Sequence, residues 1–246
     1  MFKKLALASL VSVSLVSSGT AAFAAQEEHS VEAGKKQEKL TIDQILKDPK
    51  YKDLPKDHPL IPFYKEIELY KKQNPSLTTE QVLQHFTQGA NSQRSISPAV
   101  SYSEFEALTA TEKYWVVMNP PFAALTLMTR QKAFKYTDNN YGRHDSLGDE
   151  GDAFRHAIWN ALMCKYITKA WAELYATAHE DKPTSFLEQI NSDGYSNYEH
   201  RRMDLHNNQK GRDCWLWSDS ITTITDSVLQ NRVIAKIDAG QMVILH

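Results

Sequence analysis

The stretch that decides the fold spans residues 151–163, Gly-Asp-Ala-Phe-Arg-His-Ala-Ile-Trp-Asn-Ala-Leu-Met. At about 100° per residue, four of its apolar residues fall on one side of a helix: Phe154, Ile158, Ala161 and Leu162. Asp152, His156 and Trp159 fall within about 60° of one another on the other side. Because both sides carry large apolar residues, the pattern predicts a helix that is buried at the centre of the protein.

The polar residues of this helix are candidates for a functional site. Asp152 and His156 lie four residues apart, so one helix face presents both side chains. A carboxylate and an imidazole at this spacing can share a metal ion, or the carboxylate can orient the imidazole for proton transfer. A solvated face would not normally continue into Trp159, and this favours a place inside a cleft.

A second predicted helix ends in Ala178-His179-Glu180. Its four alanines allow a neighbouring helix to approach closely. His179 shares a face with Tyr175, whereas Glu180 points about 100° away. Both residues lie near the helix C-terminus, where a cationic histidine is stabilised. The segment therefore adds a second histidine and a second carboxylate that a neighbouring helix could share.

A third segment, residues 203–208, reads Met-Asp-Leu-His-Asn-Asn. In a helix, Asp204, Asn207 and Asn208 share a face, and His206 lies opposite Asp204. A straight helix cannot direct Asp204 and His206 at one atom. We therefore expect either that one of the two serves the structure or that the helix bends at this point.

Histidines combined with Asp and Glu, and without cysteine, are typical of a hydrolytic metal site that holds a water molecule, with zinc the most expected ion. The predicted metal ligands are Asp152, His156, His179 and Asp204. The predicted catalytic residues are His156, His179, Glu180, which would activate water, and His206. The predicted substrate-binding residues are Arg155, Asn207 and Asn208. A metal-free version, with histidine as general acid or base, uses the same residues.

Several familiar hydrolase signatures are absent from the sequence. It has no His-Glu-x-x-His motif, which excludes a zincin-type protease, and no Gly-x-Ser-x-Gly motif, which argues against an α/β-hydrolase. It also has no glycine-rich phosphate loop and no dinucleotide fingerprint. The sequence consequently predicts a set of active-site residues and leaves the substrate open, with a phospholipid or a cell-wall polymer preferred.

The three motifs together resemble a bacterial family of secreted and wall-associated proteins. They are Asp-Ala-Phe-Arg-His-x2-Trp-Asn-Ala at 152–161, Ala-His-Glu at 178–180, and Met-Asp-Leu-His-Asn-Asn-x2-Gly-Arg at 203–212. The stretch from Leu108 to Pro120 is similar to the lead-in of the same domain. The resemblance covers about residues 103–238. It implies a helical domain of unknown function and supplies no activity.

Composition places the chain among globular proteins. Of 246 residues, 41% are hydrophobic and 24% are charged, which excludes wholesale disorder and collagen-like repeats. The 2 cysteines, Cys164 and Cys214, are too few for a disulfide-stapled scaffold or a four-cysteine zinc site. They could pair with each other in an oxidising compartment, or remain two buried thiols.

The N-terminus carries the pattern of a secretory signal peptide. Residues 1–4 are basic, residues 5–19 form a short apolar core, and Ala22-Phe23-Ala24 matches a cleavage site. Cleavage would leave a secreted or envelope-associated protein, with no further transmembrane segment expected. Removing Lys3 and Lys4 changes the formal charge from −2 to −4. An acidic protein outside the cell is not expected to bind nucleic acid, and a cell-envelope component stays open as a partner.

The rest of the chain predicts an all-α protein. A disordered spacer (25–39) precedes a small helical region (40–90), a polar linker (91–102) and the helical domain (103–246). Strand-like alternation is confined to Met242–Leu245. An alternative to the hydrolase is a non-catalytic, envelope-associated binding module, in which the His, Asp and Asn side chains form a structural hydrogen-bond network.

Overall fold

The chain was analysed in a computed structural model that describes residues 40–88 and 99–246. The predicted signal peptide (1–24), the spacer (25–39) and residues 91–98 of the predicted linker lie outside the described residues. Eleven α-helices are seen in the described part of the chain: α1 (Ile42–Lys47), α2 (Leu60–Gln73), α3 (Thr79–Gln88), α4 (Ala99–Glu106), α5 (Ala110–Met118), α6 (Pro120–Tyr141), α7 (Glu150–Tyr166), α8 (Lys169–His179), α9 (Thr184–Leu187), α10 (Asn197–Arg212) and α11 (Asp226–Asp238). A single 3₁₀ turn, Pro49–Tyr51, follows α1.

The predicted all-α fold is confirmed. Within the described ranges the only strand-like feature is an isolated bridge between Ile190 and Ser196, and no sheet forms. The alternating stretch 242–245 is not a strand. It is held instead as an extended segment by single bonds, including one from the Leu245 N–H to the Gly148 carbonyl at 2.7 Å.

Helix α7 is the central element, as its sequence predicts. Nearly all of its residues are buried, including Phe154, Ile158 and Leu162 on one side and Trp159 and Met163 on the other. It packs against α6, α10 and α11. A helix enclosed on all sides cannot direct its polar residues to bulk water, so each of them must find a partner within the protein or in a cavity.

Helix α10 crosses α7 at very close range. Gly211 lies inside this helix, one residue before its last residue, Arg212. A methyl group on Gly211 would lie 2.0 Å from the Ala157 carbonyl oxygen. The glycine is therefore required by the contact between the two backbones, and this contact fixes which residues of α10 face α7.

The polar side chains of the chain set the helix boundaries. Thr109 and Glu112 form a capping box at the start of α5, and Asn119 caps α6 ahead of Pro120 in its first turn. The last helix, α11, begins at Asp226 and is capped by Thr225.

The segment ahead of α11 is irregular for an identifiable reason. Asp219 accepts a hydrogen bond from the Leu216 N–H and is paired with Arg232. Such local side-chain bonds compete with helix formation.

Helix α2 packs against α6, so the N-terminal helical region lies on the helical domain within one compact unit that runs from Leu40 to His246.

Cys164 and Cys214 are both buried free thiols. Burial raises the pKa of Cys164 to about 12 and that of Cys214 to about 11, so neither is a ready nucleophile. Among the described helices, none has the length and apolar character that crossing a membrane requires.

Candidate functional site

Helices α7 and α10 bring together three side chains that could hold a metal ion. Asp152 and His156 come from α7 and Asp204 from α10, and one ligand atom of each lies within 4.8 Å of the others. The Nε2 atom of His156 is 3.4 Å from Asp152 Oδ1 and 3.3 Å from Asp204 Oδ1. The three residues are only 1%, 7% and 9% exposed, respectively in chain order. The predicted pairing of Asp152 with His156, and the addition of Asp204, are thus seen in the geometry.

These separations suit a metal ion. Ligand bonds of about 2.1 Å in a tetrahedral site place neighbouring ligand atoms about 3.4 Å apart. The two measured distances from His156 Nε2 fall at this value. Two carboxylate oxygens and one imidazole nitrogen also form a recognised donor set for a divalent metal. The residues present could therefore hold an ion, with the ligand atoms of the two carboxylates within 4.8 Å of each other.

A chain of hydrogen bonds orients the His156 ring. Arg212 can only donate, and it donates to Asn160 Oδ1 at 2.9 Å. The Asn160 amide therefore donates to Asn208 Oδ1 at 2.6 Å. Asn208 Oδ1 in turn faces His156 Nδ1 at 3.3 Å, so Nδ1 carries the proton. The lone pair of Nε2 is left to point at the two carboxylates, as a metal ligand requires.

Asp152 is held on both of its oxygens. Oδ2 accepts the Gly148 N–H at 2.8 Å, and Oδ1 bonds the Arg155 guanidinium. Arg155 also donates to the carbonyls of His144 at 2.5 Å and Ser146 at 2.9 Å. The predicted substrate-binding Arg155 therefore lies beside the cluster with most of its donors already engaged.

Two carboxylates at the cluster lack hydrogen-bond donors. Asp204 Oδ1 and Glu180 Oε1 are buried without a hydrogen-bond partner among the described residues. Glu180 caps the C-terminus of α8, and its Oε1 is 3.9 Å from His156 Nδ1. Buried carboxylate oxygens without donors are costly in a folded protein. A bound cation would compensate this cost.

Burial pushes all four ionisable groups of the cluster toward their neutral forms. It raises the pKa of Asp152 and of Glu180, the latter although His179 lies nearby. It raises the pKa of Asp204 well above the ordinary value, and repulsion from Glu180 and Asp152 adds to the effect. Burial, followed by the Arg155 charge, lowers the pKa of His156 well below its ordinary value. The cluster thus contains more acid than its cations neutralise.

His179 lies outside the cluster that holds Asp152, His156 and Asp204, contrary to its predicted place as a ligand. Its Nδ1 atom is 2.8 Å from Glu112 Oε1, and its ring contacts Trp159 edge to face with 5.6 Å between centroids. The physical reason is Glu112, which the capping box of α5 holds in place. His179 instead lines a cavity that His156 also lines.

His206 and Asn207 also lie away from the cluster. Helix α10 is continuous from Asn197 to Arg212, and His206 is exposed on it, with its Nε2 3.0 Å from the Gln241 carbonyl oxygen. Asn207 exchanges two bonds with Val243, at 2.9 and 3.0 Å. A catalytic role for His206 and a substrate-binding role for Asn207 find no support in this arrangement, because both side chains fix the C-terminal segment.

A cavity of about 280 Å³ connects the cluster with the surface. His156 and Arg155 line its inner part, and Trp159, His179, Phe134 and Arg130 form much of the remaining wall. A small substrate group could reach His156 through this space. The carboxylates of the cluster do not line this cavity, and all of them are at most 9% exposed.

Sequence reasoning assigned no role to three residues that matter here. Asn160 and Arg212 orient His156 through Asn208, and Glu112 holds His179. Asn160 lies four residues after His156 in a helix that is otherwise apolar at this point, and that isolated amide was the available signal. The place of Arg212 and Glu112 depends on helix packing, which the sequence does not display.

Comparison with known proteins gives a family and no activity. A family model described as a domain of unknown function, DUF6973, matches residues 113–241, just over half of the chain, and this range includes the whole cluster. No curated protein matches the chain, and no solved structure matches it. The match agrees with the expected helical domain of unknown function. The chain therefore belongs to the DUF6973 family of domains of unknown function.

Proposed function

We propose that this protein is a metal-assisted hydrolase. The observation that carries the proposal is the buried group of Asp152, His156 and Asp204, whose ligand atoms lie within 4.8 Å of one another around His156 Nε2. Three ligands leave a further coordination position for water, which is the arrangement of catalytic rather than structural zinc sites. Zinc is the proposed ion, although the two carboxylates would also suit manganese.

Each residue has a proposed task. A bound metal would supply Lewis acidity and lower the pKa of a water molecule. Glu180, with its free Oε1 beside His156, would accept the proton of that water. Asn208 would keep His156 in the correct tautomer. His179, on the wall of the cavity, would donate a proton to the leaving group, and Arg155 would contact polar atoms of the substrate.

The first experiment is the metal content of residues 25–246, purified without chelators or a His tag. We expect about one transition metal ion per chain in the wild type, and a loss of at least tenfold in affinity in Asp204→Asn and His156→Ala. His206→Ala is the matched control, since it removes a histidine from the same helix as Asp204. Absence of metal, with thermal stability unmoved by added zinc or manganese, would overturn the proposal.

A second candidate function rests on the chain of bonds through Arg212, Asn160, Asn208 and His156. Such a network can exist to fix helix packing in a non-catalytic binding module. In that case His156→Ala should cost about 1–3 kcal/mol of stability, because it leaves buried partners unsatisfied. Urea denaturation of the metal-free variant measures this directly. A His156 variant of near wild-type stability favours the hydrolase.

We further propose that the protein acts outside the cytoplasm, on a phospholipid or a cell-wall polymer. The support for export is the pattern of residues 1–24 alone. Mass spectrometry of the protein from its native host would test it. A mature N-terminus near residue 25 in the culture medium or envelope fraction is expected, and a full-length protein in the cytoplasm would contradict export.

A further inference from the structure

A second cavity, of about 320 Å³, lies beside the first. The two share three wall residues, Arg130, Trp159 and His179. The rings of Trp159 and His179 meet at 80° and form part of the partition. A ligand bound in the second cavity would consequently have its end next to the space that leads to His156.

The second cavity is lined largely by apolar side chains. They come from both the N-terminal helical region and the helical domain: Leu60, Tyr64, Leu108, Val116, Ala123 and Leu127. Apolar surface of this kind gains free energy when it takes an alkyl or acyl chain out of water. The first cavity also has apolar walls, Phe134 and Trp159 among them, but it differs from the second in carrying His156 and Arg155. The two cavities together thus suit one amphiphilic molecule whose alkyl part lies in the second cavity and whose reacting end lies beside His156.

Arg130 supplies a positive charge at the boundary between the cavities. Its guanidinium stacks on the Phe134 ring, 4.8 Å from the centroid, and within the described ranges it forms no hydrogen bond or ion pair. The carboxylates that line the second cavity face histidines instead: Glu112 pairs with His179, and Glu104 is 3.8 Å from His58. Glu112 and Glu104 also attract the Arg130 charge, but neither forms an ion pair or hydrogen bond with it in the described part of the chain, so its donors remain free for an anionic group of a ligand.

We propose that the substrate is an anionic amphiphile. Its alkyl chain occupies the second cavity, its phosphate or carboxylate group contacts Arg130, and the bond to be hydrolysed lies in the first cavity beside His156. The position of the hydrolysed bond rests on the proposed hydrolase function, whereas the binding of the ligand's alkyl chain and anionic group does not. A free alkyl phosphate and a membrane phospholipid share this chemistry.

The test is calorimetric binding of decyl phosphate, butyl phosphate and inorganic phosphate to the chelator-treated protein. We expect decyl phosphate to bind at least about tenfold more tightly than butyl phosphate, as burial of two or more methylene groups predicts. Ala107→Trp should remove this difference, because Ala107 is an exposed residue on the wall of the second cavity. Ala170→Trp, at an exposed position outside both cavities, is the matched control. Arg130→Gln should weaken binding of all three anions.

Equal affinity for decyl and butyl phosphate in the wild type would overturn the inference, as would a preference for decyl phosphate that survives in Ala107→Trp. Because the binding test uses metal-free protein, a finding that the protein binds no metal would not change its result. Likewise, a finding that no alkyl phosphate binds would not change the measured metal content. Competition then separates the sources. Displacement of decyl phosphate by monomeric dihexanoyl phosphatidic acid but not by phosphatidic acid vesicles assigns a free amphiphile, and displacement by both assigns a membrane lipid.

Discussion

Helix α7 carries a buried charged cluster at each of its ends, and the two clusters are built on opposite principles. At the C-terminal end, Lys165 lies 2.6 Å from Asp226 Oδ1, and Lys132 of α6 pairs with the other oxygen. At the N-terminal end, Asp152 and His156 face Asp204 and Glu180. One end surrounds a single acid with two cations, and the other gathers three acids around one histidine.

The difference appears in the direction of the pKa shifts. Burial alone would raise the pKa of Asp226, but hydrogen bonds from Lys132 and Lys165 hold it below its ordinary value. The pKa of Asp204 is raised instead, by burial and by two neighbouring carboxylates. The first cluster is complete within the chain and serves stability. The second gathers buried carboxylates, two of which have an oxygen without a hydrogen-bond partner in the described ranges, and perturbed groups of this kind cluster at functional sites.

The largest expected effect is at the C-terminal cluster. Asp226→Asn leaves Lys132 and Lys165 buried without a counter-charge, and should cost about 3–5 kcal/mol of unfolding free energy. Urea denaturation measures it. Asp213→Asn is the control, because it breaks an exposed pair with Lys169 and should cost less than about 1 kcal/mol. Equal losses in both variants would show that the C-terminal cluster is not a structural ion pair.

The next effect is stabilisation by metal at the N-terminal cluster. An ion at 100 times its dissociation constant should stabilise the wild type by about 2.7 kcal/mol, because it binds only the folded chain. Thermal denaturation with and without zinc checks this value. At the same zinc concentration the gain should fall to about 1.4 kcal/mol or less in Asp204→Asn, as a loss of at least tenfold in affinity predicts, and persist in both His206→Ala and Asp226→Asn. A gain of undiminished size in Asp204→Asn would place the ion elsewhere.

A smaller effect, of opposite sign to that of Asp226→Asn, is expected from Asp204→Asn in metal-free protein. Removing one of three crowded carboxylates relieves repulsion with Asp152 and Glu180, so stability should stay level or rise by about 1 kcal/mol. Urea denaturation in the presence of a chelator measures the difference. A loss above about 2 kcal/mol would instead assign Asp204 to a structural network.

The smallest effect is the pH dependence of stability. Its sign should differ between Asp226 of the C-terminal cluster and Asp204 of the N-terminal cluster. Because the folded pKa of Asp226 is lowered, its contribution is present above the ordinary value of 3.8 and disappears as pH falls through the lower folded pKa. Because the folded pKa of Asp204 is raised, metal-free protein should lose stability as pH rises above about 3.8. Urea midpoints of wild type, Asp226→Asn and Asp204→Asn, measured across pH 3–7, would separate the contributions of the two aspartates to stability. Identical pH profiles in the two variants would contradict the proposed difference between the two clusters.

The sequence predicted the central helix and half of the candidate site. Periodicity alone identified α7 as buried on both sides, and the spacing of four residues placed Asp152 and His156 on one face. The same geometry placed His206 opposite Asp204, and in the continuous α10 it is Asp204, not His206, that faces His156 of α7. These are properties of a single helix, and a period of 3.6 residues fixes them without knowledge of the neighbours.

Errors arose where two elements meet. His179 and Glu180 are adjacent in sequence, yet only Glu180 approaches His156, because Glu112 of α5 holds the histidine. Glycine is common where a helix ends, but the role of Gly211 is to let α10 touch Ala157 of α7. Neither outcome has a signal within the helix concerned, since each depends on a residue far away in the chain.

By itself, then, the sequence determined the all-α class, the buried α7 and the face on which its Asp and His lie, because backbone periodicity and polarity are local. Tertiary structure alone decided that Asp204 and Glu180 complete the cluster, that His179 lines a cavity and that Arg130 stands between two cavities. The physical reason is that a cluster of like charges is unfavourable for every local segment, and only the packing of α7, α8 and α10 holds the acids together.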